Sequence, residues 1–116
     1  MDHYYVWCGP KDGVRDTEFA DAAHAYLTHL KAEGLISGYK ITHCKFGLGP
    51  AHFPEFDLVI ETEGLAQLDE AFRHISSSTD PVELFHHAVN SLVKDPFFTL
   101  YRDFPDPGRE HGEERF

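Results

Sequence analysis

The sequence has few of the features that identify common functional classes. Its 116 residues include two cysteines, Cys8 and Cys44, whose spacing does not form a CxxC motif, which argues against a dithiol redox site. No apolar run approaches the about 20 residues that a membrane-spanning helix needs. The first residues also lack the basic and apolar regions of a secretory signal. We therefore predict a cytoplasmic protein with two free thiols and no membrane partner.

Positive charge is scarce as well. Ten lysines and arginines face 20 aspartates and glutamates, which gives a formal net charge of −10 at pH 7 with the nine histidines neutral. A phosphate backbone or an anionic membrane is repelled by such a field unless basic residues are clustered. The sequence contains no such cluster, so it predicts no nucleic-acid partner.

The sequence also lacks the short motifs that bind cofactors or metals. The glycine-rich segment at 47–50 has neither GxGxxG nor Walker spacing, and no serine stands in a GxSxG elbow. Nine histidines are many for this length, but no HxH, HxxxH or HExxH pattern occurs among them. Without a local ligand spacing, neither a metal site nor a cofactor is predicted.

What is present is the composition of one globular domain. The hydrophobic fraction is 41%, and the length leaves no room for a second core. We predict a single domain over residues 1–104 and a polar C-terminal tail over 105–116.

Hydrophobic periodicity predicts the order β-α-β-β-α-(α)-β, which is the ferredoxin-like arrangement. Asp16 is expected to cap the first helix and Gly34 to end it. Asp80 followed by Pro81 is typical of a helix start and predicts that the third helix begins there. Strands are predicted at 3–8, 35–46, 56–63 and 97–104, and helices at 17–33, 64–75 and 80–93.

In this α+β fold both crossovers place their helices on one face of a four-stranded antiparallel sheet. Alternate residues of a strand point to opposite faces of the sheet. Whichever set points away from the helices, the first and last strands place large aromatic residues on that face. One assignment exposes Tyr5 and Trp7, and the other exposes Tyr4 and Val6. Leaving such side chains in water is costly at about 25 cal/mol per Å². We therefore expect a homodimer that packs two sheets face to face into an α/β barrel.

The element order, the size, the two-sided sheet and the extra helix at 80–93 resemble the dimeric α/β-barrel superfamily, over residues 3–104. This superfamily includes cofactor-independent monooxygenases, muconolactone isomerase-like proteins, stress-responsive barrel proteins and haem-degrading enzymes. The resemblance implies a homodimer with a small, mostly apolar ligand pocket near the sheet. It does not select one reaction, because a shared scaffold hosts many chemistries.

Candidate catalytic residues are His43 on the second strand and Asp57 on the third. The two positions are expected at similar depth in a hairpin, where a carboxylate beside an imidazole favours its protonated form. The alternative is an exposed cross-strand ion pair. Candidate ligand-binding residues are Tyr5, Trp7, His52, His86 and Arg102.

Three functional hypotheses follow. The first is a homodimer that binds a small apolar or aromatic metabolite, with cofactor-independent monooxygenase or isomerase activity as one form of it. The second is a non-enzymatic interaction or regulatory dimer whose aromatic face is entirely interface. The third is a metal- or haem-binding protein that uses a helical histidine, for which His74, His86 and His87 are available.

Overall fold

The computed structural model describes residues 1–76 and 82–105, with the backbone alone at 82–85. The chain forms four strands and three helices within these ranges. Their bounds are β1 Asp2–Pro10, α1 Asp16–Ala32, β2 Gly38–His43, β3 Phe56–Thr62, α2 Leu65–Ser76, α3 Val82–Asn90 and β4 Val93–Arg102.

The four strands form one sheet in the order β2-β3-β1-β4, and every neighbouring pair is antiparallel. Each βαβ unit leaves a gap between its two strands, and a strand of the other unit fills that gap. Thus β3 lies between β1 and β2, and β1 lies between β3 and β4. The ferredoxin-like α+β fold predicted from the sequence is therefore confirmed. No described helix is both long and apolar enough to cross a membrane.

Helix α1 supplies most of the core. Its apolar residues recur every three or four positions, so they lie on one face, and Phe19, Leu27 and Leu30 are at most 1% exposed. The expected Asp16 cap is wrong, because Arg15 occupies the N-cap position without a side-chain cap bond. Gly34 ends the helix as predicted, with a φ of +76°. The Leu35 amide then donates to the Leu30 carbonyl at 3.0 Å, which is the Schellman arrangement.

Strand β4 differs most from its sequence prediction. It begins at Val93 instead of residue 97, and the third helix ends at Asn90 instead of residue 93. Asp95 and Pro96 lie between the two predicted elements, and the structure places both within β4. A proline is tolerated in β4 because this strand lies at the edge of the sheet. The predicted start signal at Asp80 and Pro81 lies outside the described residues, as does the tail beyond residue 105.

The register decides which aromatic residues share a face. We call the face that packs against the helices the inner face and the opposite one the outer face. Tyr4, Val6 and Cys8 lie on the inner face, because they line the same cavity as Leu27 of α1. Because successive strand residues alternate, Tyr5 and Trp7 lie on the outer face.

Candidate functional site

A cavity lies between the helices and the inner face of the sheet. Its volume is about 260 Å³. Its wall is made almost entirely of apolar side chains, which come from α1, from both C-terminal helices and from three strands. Representative lining residues are Val6, Leu27, Leu58, Ala71, Val89 and Phe98.

Two tyrosines, Tyr4 and Tyr26, are among the polar residues that line this cavity. Tyr26 of α1 is 7% exposed, and Tyr4 of β1 lies across the cavity from α1. Burial raises the pKa of both hydroxyls, so both remain protonated donors at neutral pH. Neither hydroxyl has a hydrogen-bond partner among the described residues.

Helix α3 places two further polar side chains at the rim of the cavity. His86 and Asn90 both line it, and they are one turn apart on the same helix face. The His86 ring lies 5.7 Å from the Tyr26 ring, measured between centroids. His86 is exposed, so it borders both the cavity and the solvent.

The thiol of Cys8 lies at the base of the cavity. Cys8 is fully buried, and burial raises the pKa of its thiol to about 11. The thiolate is the reactive form of cysteine, so Cys8 acts here as a small apolar wall residue.

The cavity opens between α2 and β4. Phe72 is 44% exposed and Phe98 is 56% exposed at this opening. The Tyr4 ring lies between them, 5.3 Å from the Phe72 ring and 5.8 Å from the Phe98 ring. An apolar ligand would therefore meet aromatic surface before it reaches the interior.

Tyr5 and Trp7 do not line this cavity, because they lie on the outer face. Their rings stack at 5.7 Å, and the Trp7 ring stacks on Phe97 at 6.1 Å. The Trp7 indole N–H donates to the Thr99 hydroxyl at 3.0 Å. Tyr101 meets Tyr5 edge-on at 5.5 Å. These rings form a continuous aromatic surface, and no described helix packs on it.

Asp57 lies on the same outer face, directly opposite Trp7 in the register. It is 7% exposed, and its Oδ1 atom has no hydrogen-bond partner among the described residues. Burial raises the pKa of this carboxyl to about 6. The chain thus keeps a partly desolvated acid next to an aromatic surface, an arrangement found at functional sites and interfaces.

The structure does not bring His43 and Asp57 together. His43 pairs with Phe56, and Thr42 pairs with Asp57, so the two candidate side chains lie on opposite faces. This register corrects the pairing that the sequence suggested. The neighbours of His43 are instead Asp16 and Glu55, whose carboxylate oxygens lie 3.9 and 3.7 Å from its Nε2 atom.

The two remaining candidates lie away from the cavity. Arg102 donates from Nη2 to Asp2 Oδ2 at 3.0 Å, and this hydrogen bond lowers the pKa of the buried Asp2 carboxyl. His52 is exposed in the loop between β2 and β3, where it lines an open cleft of about 690 Å³ with Asp12 and Lys94. Among the sequence candidates, only His86 lines the apolar cavity.

A profile described as a family of unknown function, DUF6614, matches residues 1–116. The chain belongs to the DUF6614 family. No protein of curated function is detectably similar to this DUF6614 chain in sequence.

Solved structures share the fold of the DUF6614 chain at low sequence identity. The Arabidopsis thaliana protein At3g17210 has a TM-score of 0.70 at 9% identity, over 89% of this chain and 95% of its own. A dimeric ferredoxin-like protein of unknown function from Bacteroides fragilis gives 0.58 at 13% identity, over 88% and 95%. A protein described as an antibiotic biosynthesis monooxygenase gives 0.60 at 16% identity, over 90% and 100%.

Sequence reasoning missed the polar residues that matter most in the cavity. Tyr26 belongs to the apolar stripe of α1, so the periodicity assigned it to the core, and Asn90 carried no motif. A buried tyrosine is nevertheless amphipathic and needs a partner for its hydroxyl. The presence of a tyrosine, Tyr26, in the buried stripe of α1 was the one sequence feature that could have indicated a polar group in the cavity wall.

Proposed function

We propose that this DUF6614 protein binds a small, mostly apolar or aromatic metabolite in the cavity between its helices and its sheet. The observation that carries the proposal is an apolar cavity whose wall includes two tyrosines, Tyr4 and Tyr26, and one histidine, His86. Ligand sites are typically apolar with a few polar groups that fix orientation.

The size of the cavity limits the ligand. An engineered apolar cavity of about 150 Å³ holds one benzene molecule. The 260 Å³ available here accommodates a substituted single ring or two fused rings. The opening lined by Phe72 and Phe98 also favours a planar, apolar molecule.

The polar groups favour a ligand that carries a hydroxyl or carbonyl oxygen. Tyr4 and Tyr26 can donate hydrogen bonds to that oxygen and stabilise negative charge on it. His86 at the rim can accept the proton of a phenol or enol. Such a deprotonation is a step that cofactor-independent oxygenation and isomerisation can share, and one structure of this fold is described as a monooxygenase.

We further propose that the protein is a homodimer joined through the outer faces of its two sheets. Among the solved structures of this fold, two are described as dimeric. The aromatic surface of Tyr5, Trp7, Phe97 and Tyr101 is the apolar area that such a contact would cover. An isologous contact of this kind closes on itself and leaves the cavity of each subunit separate.

Thermal unfolding in the presence of 2-naphthol and 1,4-naphthoquinone tests the binding proposal. A ligand at 100 times its Kd stabilises the folded state by about 2.7 kcal/mol, which raises the Tm of a chain of this size by about 10 °C. Ala71→Leu places a larger side chain in the cavity wall and should abolish the rise.

Ala66→Leu is the matched control, because Ala66 is exposed on the same helix. It should leave the Tm rise intact. The proposal fails if neither probe stabilises the protein, or if Ala71→Leu and Ala66→Leu respond to the probes alike.

A further inference from the structure

We propose that Asp16, His43 and Glu55 form a binding site for a first-row divalent cation, with Zn²⁺ as its best representative. The site is separate from the apolar cavity and does not depend on the function proposed for that cavity. Its three residues come from the start of α1, the end of β2 and the residue before β3.

The ligand atoms of these residues converge. The imidazole Nε2 of His43 lies 3.9 Å from Asp16 Oδ2 and 3.7 Å from Glu55 Oε2. One ligand atom from each residue lies within 4.8 Å of the other two. Zinc bonds to nitrogen and carboxylate oxygen are about 2.0–2.2 Å long, so tetrahedral ligands stand about 3.4 Å apart. The observed separations are only slightly wider, and the exposed carboxylates can close them by side-chain rotation.

The backbone below the three side chains is held by packing. The His43 ring lies 4.7 Å from the Phe56 ring, and Phe56 lies 4.9 Å from Phe19 of α1. Asp16 is three residues before Phe19, so it projects from the same side of the helix. The contact between Phe19 and Phe56 therefore sets the distance from Asp16 to His43.

A backbone hydrogen bond fixes the third ligand. The Cys44 amide donates to the Glu55 carbonyl at 2.7 Å. This bond closes the loop between β2 and β3 and holds Glu55 beside His43. Ligands from rigid elements lose less entropy on binding a metal than ligands from a free loop.

The charges of the site also favour a cation. Within residues 1–76 and 82–105, the ion pairs of Asp16 and Glu55 are those with His43. The nearby lysine, Lys94, is bound at 2.9 Å to Asp12. The two carboxylates outnumber the single imidazole, so the cluster keeps net negative charge, which a divalent cation neutralises. The positive end of α1 opposes the cation only weakly, because the site is exposed to solvent.

The donor set selects the class of metal. Imidazole nitrogen suits zinc and its transition-metal neighbours, whereas Mg²⁺ and Ca²⁺ prefer an all-oxygen shell. Three protein ligands leave a fourth position for water or an anion. That position has access from solvent, because Asp16 and Glu55 also line the open cleft beside β4.

Titration of the full chain with ZnCl₂ by calorimetry tests the proposal, with Co²⁺ absorbance as a second readout of coordination. We expect one site per chain. Asp16→Asn, His43→Gln and Glu55→Gln should each weaken Zn²⁺ binding at least tenfold and reduce the Co²⁺ absorbance. All three positions are exposed, so these variants should keep their circular dichroism spectrum.

Asp21→Asn and His87→Gln are matched controls, because they change the same residue types at exposed positions outside the cluster. They should bind Zn²⁺ as the wild type does. The proposal is overturned if the wild type binds no Zn²⁺ at 1 mM metal. It is also overturned if the controls weaken binding as much as the cluster variants do.

Discussion

The inner and outer faces of the sheet are built from alternate residues of the same strands, yet they differ in how their apolar side chains are covered. The inner face is covered by the helices of its own chain, and the cover is incomplete enough to leave a cavity of about 260 Å³. The outer face carries both stacked and edge-on aromatic rings and one buried carboxyl, Asp57. The comparison teaches that the helices leave a cavity over one face, whereas no described helix covers the aromatic surface of the other.

The largest expected effect is on association through the outer face. Trp7→Glu places a charge at the centre of the aromatic surface and should weaken dimerisation by about 4 kcal/mol, the size of a central hot-spot residue. Sedimentation equilibrium should change from twice the chain mass of 13.2 kDa to that mass.

Tyr101→Glu separates dissociation from misfolding, because Tyr101 is 62% exposed in the single chain. Ala25→Glu adds the same charge on the exposed side of α1 and should leave the dimer intact. A wild-type protein that is monomeric at 100 μM would refute the proposed assembly.

The second effect concerns the inner face. Leu58→Ala removes a side chain that is 4% exposed between the sheet and α1, and it should lower the free energy of unfolding by about 3 kcal/mol. Because Leu58 contacts its own chain, the loss should not vary with protein concentration once association is accounted for.

Urea unfolding measures this loss. Leu48→Ala is the control, because Leu48 is 82% exposed and surface changes usually cost less than 0.5 kcal/mol. Equal losses for the two variants would mean that the cavity wall contributes no core packing.

The smallest effect is the pH dependence due to Asp57. Its pKa is about 6 in the folded chain, against an ordinary value of 3.8. The folded state therefore binds more protons than the unfolded state between these values, and stability falls as pH rises from about 4 to about 6. At 1.36 kcal/mol per pKa unit, the loss is about 2–3 kcal/mol.

Asp57→Asn should remove this part of the pH dependence, which unfolding curves at pH 4, 5, 6 and 7 can measure. Asp21→Asn, at an exposed position of α1, should keep it. Parallel curves for Asp57→Asn and the wild type would show that another group carries the effect.

The contrast between the faces also explains what the sequence predicted well. The stripe on α1 and the alternation along β3 are local patterns, and both elements begin and end within one residue of their predicted bounds. The left-handed turn at Gly34 is equally local. Local periodicity was therefore enough to predict the order of elements and the fold class.

The site depended on long-range register, which periodicity does not contain. Aromatic residues occupy both alternations of β1 and β4, so the side on which the helices pack decides which ones face outward. The pairing of Trp7 with Phe97 then places both on the outer face. The hairpin pairs His43 with Phe56, and this offset of one residue separated His43 from Asp57. The cavity arises from how the helices dock on the sheet, and no local pattern encodes that docking.

The edges of the sheet have a consequence for how far assembly can proceed. Pro96 removes one backbone donor from β4, and Asp95 before it adopts a φ of +48°, so this edge offers a broken row of hydrogen-bonding groups. The opposite edge, β2, is only six residues long and carries the charge of Lys40. Interrupted, short and charged edges oppose the addition of further strands. Both edges therefore oppose growth into a continuous intermolecular sheet, which is consistent with the proposed pairing of two chains through their outer faces.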